Sequence, residues 1–524
     1  MDQDPAATDL PVEGSDDSQD PPDLQGPELE ADQLARYLEG RRRRWAEQRA
    51  RRSTLPPMAE QLLDQDERHL NLLSEALEQT REARRAARPG ADLGLWQPPR
   101  IKKAPLPWRV VRVLWRRSVQ ALKDHRHAHR VRAFSKRRPT TTEKPDLSVI
   151  IPTFDRRELI LKQLTRYEKQ SSDLSFEILV VDDGSTDGTF EAVSKLRPER
   201  YRLRALLQEN AGPAAARNLA VKEAEGRLIF ITGDDIEPAE DLLLRHWQAH
   251  EELADPSAAV LGLIRWPAEG LKISTTMTHI DGEGAQQFNY AWLEAGREYD
   301  FRHFYTSNIS LHRSMLMQGN APSELFSNLF TSAAFEDAEL AYRLSGHGLR
   351  IVYRPEAEAL HHHPYVAGGF FKRQKRCGTM AQTLWHLHPE LAPLLGLHAL
   401  EIDALNLLRV GRQTRWRLWA RCSPEHDRAL YIGAAALDSF PPDSKTDPNT
   451  SDDFLKIYFQ VAYEEGLARA MELPRPKLTV AWSMERRLPE TARALHVRLQ
   501  RRLEHEEPRG RDAVLDALQR LVNP

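Results

Sequence analysis

At 524 residues the chain exceeds one ordinary domain, and 40% hydrophobic with 29% charged residues describes a water-soluble protein with ample material for a core. The net charge of −3 averages an acidic stretch at residues 1–33, free of Lys and Arg, against basic runs at Arg41 to Arg44, Arg51-Arg52 and 100–138, so the average by itself excludes no partner. Two distant cysteines, Cys377 and Cys422, rule out a disulfide framework, and neither a membrane-length apolar run nor a secretory signal is present; a cytoplasmic protein is expected.

Residues 1–27, rich in Asp, Pro, Gly and Ser, bury too little apolar surface to offset ordering entropy and are expected to be a disordered acidic tail. Residues 28–138 form a helical, basic region broken at Pro56-Pro57. Leu63, Leu70 and Leu77 recur every seven residues with Leu73 at a d-like place, while Asp66 and Thr80 interrupt the seam. The pattern fits a helix packed on its own protein as well as a zipper joining two copies, which would give a homo-oligomer through the N-terminal helices. From Trp108 to Leu122 apolar and basic residues interleave at helical spacing. The 100–138 segment thus reads as a peripheral contact with an anionic membrane, as a phosphate-contacting surface for nucleic acid, or as a basic helix with one face on the core. A nucleic-acid partner is not expected overall.

After a Thr- and Pro-rich linker at 139–146 the composition changes, and residues 147–395 read as an α/β domain. Strands at Leu147 to Pro152, Phe176 to Val181, Leu203 to Leu207 and Leu228 to Ile231 alternate with helices at Glu158 to Tyr167, around Phe190 and Val193, and at Pro213 to Ala224. Such alternation predicts a parallel sheet covered by helices, with ligands at the carboxyl ends of the strands. The loops after Pro152, Val181 and Ile231 therefore share one edge. They supply Thr153-Phe154-Asp155, Asp182-Asp183-Gly184-Ser185 and Asp234-Asp235. An edge with several acids and neither a Gly-x-Gly-x-x-Gly turn nor a Walker lysine suits a phosphate held through Mn²⁺ or Mg²⁺ rather than directly. Arg217, one to two turns into the helix opened by Pro213, reads as a phosphate ligand or as a helix-surface arginine paired with an acid.

These segments resemble a known family. Ser148 to Arg156, Val180 to Thr189, Gly212 to Asn218 and Asp234-Asp235 match, in order and spacing, the successive motifs of family 2 glycosyltransferases of GT-A fold, over about Leu147 to Gly378. The resemblance implies a Rossmann-like mixed sheet, a nucleotide-sugar donor, a divalent metal and an inverting transfer. It would place Pro152, Thr153, Phe154, Asp155 and Asp183 at the donor, with Asp183 hydrogen-bonding the base and Arg217 at the phosphates. Asp235 would be the main metal ligand and Asp234 its neighbour on the ribose or donor sugar. Gly233 stands where many relatives carry a first acid.

In the second half, Phe335-Glu336-Asp337 opens a helix with acids in its first turn, closed by Gly346 and Gly348. By the resemblance Asp337 is the general base and Glu336 positions the acceptor. A strand at Arg350 to Tyr353 leads to His361-His362-His363; a His at this place completes the metal site in the family, and His361, with His363 on the same side of an extended chain, fits that role. Pro364 to Lys375 resembles the mobile loop that closes over the diphosphate, with Arg373 and Arg376 as candidates there. Strands at Leu261 to Trp266 and Tyr305 to Ser310 flank an aromatic stretch (Phe288, Tyr290, Trp292, Phe301) that either stacks on sugars or serves the core. Residues 396–524 are helical, with a break at Pro441 to Ser451 and a final charged helix at Glu485 to Val522.

The function expected from all this is metal-dependent inverting transfer of a sugar from a nucleotide-sugar donor to a carbohydrate, lipid-linked or protein hydroxyl. Alternatives are an inactive GT-A scaffold, against which the Glu336-Asp337 pair argues, and a nucleotide-sugar hydrolase or nucleotidyltransferase, which has no use for an acceptor base.

Overall fold

The computed structural model describes residues 27–51, 55–56, 58–88, 91–98, 144–282, 287–317, 325–439, 448–485, 487–502 and 508–522. The expected acidic tail and the basic 100–138 segment, with its membrane and nucleic-acid readings, lie outside them.

The centre of the fold is a nine-stranded sheet: β1 (Leu147–Thr153), β2 (Phe176–Asp182), β3 (Arg202–Leu207), β4 (Leu228–Thr232), β5 (Ile236–Pro238), β6 (Ala258–Arg265), β7 (Glu298–Tyr299), β8 (Asn308–His312) and β9 (Arg350–His361). Its order is β3-β2-β1-β4-β8-β6-β9-β5, with β7 paired to β9. The first four strands are parallel, as alternation with helices requires. β8 enters antiparallel between β4 and β6, whereas β6 and β9 run parallel, so the sheet is mixed. Every residue of β2 and β4 is buried, which their Val, Ile, Leu and Phe content anticipates for strands covered on both faces. In register, Thr153 stands beside Asp182 and Ile150 beside Ile231, so the loops leaving β1, β2 and β4 emerge on one edge.

Some element boundaries differ from the expectations. β8 starts at Asn308 rather than Tyr305, because Tyr305 to Ser307 form a turn over the cleft. β9 runs twelve residues to His361, through a register shift against β6 at Gly262/Leu263. Asn308 bridges that irregularity, its Nδ2 donating to the carbonyls of Leu263 (3.0 Å) and Ala357 (2.9 Å), while its Oδ1 lies 2.9 Å from Nε2 of buried His246. Residues 367–375, expected within a mobile loop, form the start of a 21-residue helix, Ala367–Leu387. Its apolar residues Phe370, Met380 and Leu384 recur at helical spacing and are buried, so packing outweighs Gly368-Gly369. The expected break at 441–451 ends at Pro448, where the helix Pro448–Ala470 begins. The expected single helix from Glu485 to Val522 is two, Leu488–Arg502 and Pro508–Val522, each with a proline in its first two positions.

The N-terminal helices Pro27–Ala50 and Ala59–Ala86 pack on their own chain. Leu34, Leu38, Leu70, Leu73 and Leu77 form one cluster with Leu405 and Leu408 of the helix Leu397–Arg409. The two residues that interrupt the heptads explain why. Buried Asp66 pairs with Arg41 (2.8 Å) and lies 2.7 Å from His398 Nε2, and the Thr80 hydroxyl donates to the Ala76 carbonyl (2.7 Å). Arg41 also reaches Glu401 (2.8 Å), whose other oxygen lies 2.8 Å from His69. The heptad leucines are therefore consumed within the chain.

Candidate active site

The edge is built from loops tied to one another by their own polar groups. Asp155, in the left-handed region at φ 49°, donates its N–H to Ser185 Oγ (2.8 Å) and accepts from the Thr186 N–H (2.7 Å), joining the loops after β1 and β2. Asp183 is buried; its carboxylate accepts from Gln208 Nε2 (2.7 Å) and from the N–H groups of Ala211 (2.9 Å) and Gly212 (2.8 Å), at the start of the helix Gly212–Glu223. Phe154 is exposed. Of this donor set, Thr153 reaches the acid pair directly, its hydroxyl donating to Asp234 Oδ2 (2.8 Å).

Asp234 and Asp235 lie in the turn that follows β4, where one side chain touches both. Arg156 Nη1 donates to Asp234 Oδ1 (2.8 Å) and to Asp235 Oδ2 (3.0 Å). Burial, then the charge of Asp235, raises the pKa of Asp234 to about 6. Burial also opposes the charge on Asp235, but the neighbouring His361, then Arg156 and His363, prevail, holding it below the ordinary carboxylate range. A side chain at Gly233 would meet Asp235 Oδ1 at 2.9 Å, which accounts for glycine where an acid is common.

β9 delivers the histidines by strand alternation. His361 Nε2 and His363 Nδ1 stand 3.7 and 3.9 Å from Asp235 Oδ2, whereas His362 points to the other side and meets Glu237 at 2.7 Å. Trp266 stacks on His361 with ring centres 5.1 Å apart, and buried His361 Nδ1 has no hydrogen-bond partner among the described residues. One carboxylate and two imidazoles gathered here offer the O and N donors from which a divalent-cation site can be made. The tighter knot of such groups among the described residues is His69, His398 and Glu401, in the helical region. The Arg41 guanidinium already serves as its cation.

Opposite stands the helix Glu336–Ser345, preceded by Phe335 in a left-handed conformation (φ 67°) that turns the chain sharply into the acid pair. Arg217 pairs with Glu336 at 3.0 Å. Among the described residues no cation pairs with Asp337, and burial together with the Glu336 charge pushes its pKa up to about 7. A cavity of about 530 Å³ brings together Arg217, Asp235, Glu336, Asp337 and His361. A second, of about 360 Å³, shares Asp235 and Arg373 and adds Arg156, His363 and Arg376. Pro152, Phe154, Asp155 and Asp183 line neither.

Residues 148–309 match the family described as Glycosyl transferase family 2. They are a family 2 glycosyltransferase domain. The mixed sheet with its parallel half and its acidic loop after β4 is the corresponding GT-A arrangement, with helical extensions on both sides. Over 331 residues the chain is 26% identical to validoxylamine A glucosyltransferase of Streptomyces hygroscopicus subsp. jinggangensis, covering 58% of this chain and 75% of that protein. It is 33% identical over 116 residues to the uncharacterized glycosyltransferase YfnE of Bacillus subtilis, covering 22% of this chain and 29% of that protein. Among solved structures, the mannosyltransferase PcManGT from Pyrobaculum calidifontis aligns over 67% of this chain and 93% of its own, at 23% identity and a TM-score of 0.38. Arg156 lies inside the family 2 domain and inside the motif that carries the resemblance, yet sequence reasoning gave it no role. The one available signal is its position, a cation just after a β-strand on an edge otherwise acidic.

Proposed function

We propose that this protein is a divalent-metal-dependent, inverting glycosyltransferase that moves a hexose from a nucleotide-sugar donor to a hydroxyl of a carbohydrate, lipid-linked or protein acceptor. The observation that carries this is that one cavity is shared by Asp235 with His361 on one wall and by a carboxyl of raised pKa, Asp337, on the other. The relative named as a glucosyltransferase supports a hexose.

In this reading Asp235, His361 and His363 hold the cation, which when bound neutralises the departing diphosphate as a Lewis acid. Arg373 and Arg376, beside Asp235 in the basic cavity, receive the phosphates. Asp337 accepts the proton of the acceptor hydroxyl as that oxygen bonds to the anomeric carbon and the carbon–oxygen bond to the diphosphate breaks on the opposite face. A base with pKa near 7 is half ionised at neutral pH and strong enough to take that proton. Arg217 restrains Glu336, so the charge that raises the Asp337 pKa stays beside it.

The test is a panel of nucleotide sugars and hydroxyl acceptors with Mn²⁺ or with chelator, comparing the natural protein with Asp337→Asn. Chelator-sensitive transfer lost in the variant supports the reading. Equal transfer by both proteins refutes Asp337 as the base, and full transfer in chelator refutes the metal.

A further inference from the structure

Asp235 Oδ2, the oxygen nearest both His361 and His363, is already taken by a cation, the Arg156 guanidinium at 3.0 Å. The same Nη1 holds Asp234 at 2.8 Å. The two acids are nearly buried, at 8% and 16% side-chain exposure, while Arg156 is 40% exposed. The acids are thus enclosed by protein, while their partner faces solvent. Its guanidinium also borders the cavity lined by His363, Arg373 and Arg376, a basic concavity of a size to take a diphosphate. A metal ion on Asp235 and the Arg156 guanidinium in its present place would be two like charges on one carboxylate and would repel each other.

We propose that Arg156 is an exchange residue. It keeps Asp234 and Asp235 charge-compensated while the donor is absent, and releases Asp235 to the metal by passing to the donor's diphosphate, so that metal and nucleotide diphosphate bind as a coupled pair. The inference rests on the metal-dependent reading above. Its physical content is linkage: each ligand strengthens the other because each completes a charge that the other uncovers.

Direct Mn²⁺ titration followed by electron paramagnetic resonance, with no nucleotide present, tests it. Arg156→Gln should bind Mn²⁺ at least tenfold tighter than the natural protein. Arg156→Lys, which retains a cation, should stay within threefold of the natural value. Arg376→Gln removes the same charge from the same cavity without touching the acids, and should also leave Mn²⁺ affinity within threefold. Equal affinity of the natural protein and Arg156→Gln, equal gains in Arg156→Gln and Arg376→Gln, or no Mn²⁺ bound by any of them overturns the proposal. Transfer assays with chelator separate the two readings. Chelator-sensitive transfer with unchanged Mn²⁺ affinity in Arg156→Gln defeats the exchange alone, whereas full transfer in chelator defeats the metal reading and leaves Arg156 as a permanent counter-cation.

Discussion

Arg217 Nη1 stands 3.0 Å from Glu336 Oε1, a contact between residues 119 positions apart that ties the helix following β3 to the helix bearing Asp337. Both side chains are largely withdrawn from water, at 11% and 6% exposure. The pair therefore anchors the wall on which the candidate base is mounted, and Arg217 contributes a positive charge that lowers the Asp337 pKa against the stronger effects of burial and Glu336.

Removing that cation has two separable effects. Arg217→Met leaves the Glu336 carboxylate buried without compensation, and should destabilise the fold by about 3 kcal/mol. It should also raise the Asp337 pKa further, moving the alkaline-rising limb of the pH–rate profile upward by roughly 0.5–1 pH unit. Calorimetric unfolding and a kcat/KM profile between pH 5.5 and 9 check the two independently.

In the natural protein the same profile should rise about tenfold per pH unit below pH 7 and level off above it, since the base works only when ionised and its pKa lies at about 7. Asp337→Asn should lower kcat by roughly 10²–10⁴ and abolish that inflection. Its effect on stability has the opposite sign. A carboxyl whose folded pKa is raised binds its proton more tightly when folded, so its contribution to stability falls as pH climbs from the unfolded value through about 7. The asparagine variant should thus be at least as stable as the natural protein at pH 8, measured by thermal unfolding.

The C-terminal helices meet the site through the backbone. A Cβ on Gly378 would lie 2.0 Å from the Tyr463 carbonyl oxygen, and one on Gly466 would lie 2.1 Å from that of Lys375, so the helices Ala367–Leu387 and Pro448–Ala470 touch main chain to main chain. Gly378→Ala must push them apart. The expected cost is about 1–3 kcal/mol of stability, with a raised KM for the donor, because the displaced helix carries Arg373 of the cleft. Gly40→Ala, in the helix Pro27–Ala50 with nothing within 4 Å, is the control and should do neither.

Arg41 holds the N-terminal hairpin to the helix Leu397–Arg409 through Asp66 and Glu401, each 2.8 Å away and all three buried. Arg41→Met should cost about 3–5 kcal/mol by stranding two carboxylates. Replacing all three with apolar residues of similar volume should recover most of that loss. Denaturant unfolding of the single and triple variants tests the pair of statements.

Much of the candidate site could be read from residue order, because its groups sit at strand ends and helix starts, where local pattern fixes position. Asp235 follows an apolar strand, Asp337 opens an acidic helix, and His361 and His363 share a side of extended chain while His362 does not. The aromatic stretch divided as its chemistry allowed: Tyr290, Phe301 and Tyr305 are buried, Phe301 and Tyr305 also line the cleft, and Trp292 is exposed. At 367–375 and 448–451 turn-forming residues gave a local signal that helix packing overrode, whereas at Tyr305 an extended-chain pattern gave way to a turn.

The sequence by itself determined the alternating strands and helices, the common edge of their loops, and the acids standing there, since periods of 2 and 3.6 residues and short loops depend on near neighbours. Only the tertiary structure decided which charges pair. Arg156 with both Asp234 and Asp235, Arg217 with Glu336, and Arg41 with Asp66 and Glu401 are long-range choices. Burial removes water as the alternative partner, so each buried charge takes whichever opposite charge the fold brings within about 3 Å, and that distance is set by packing between segments many residues apart.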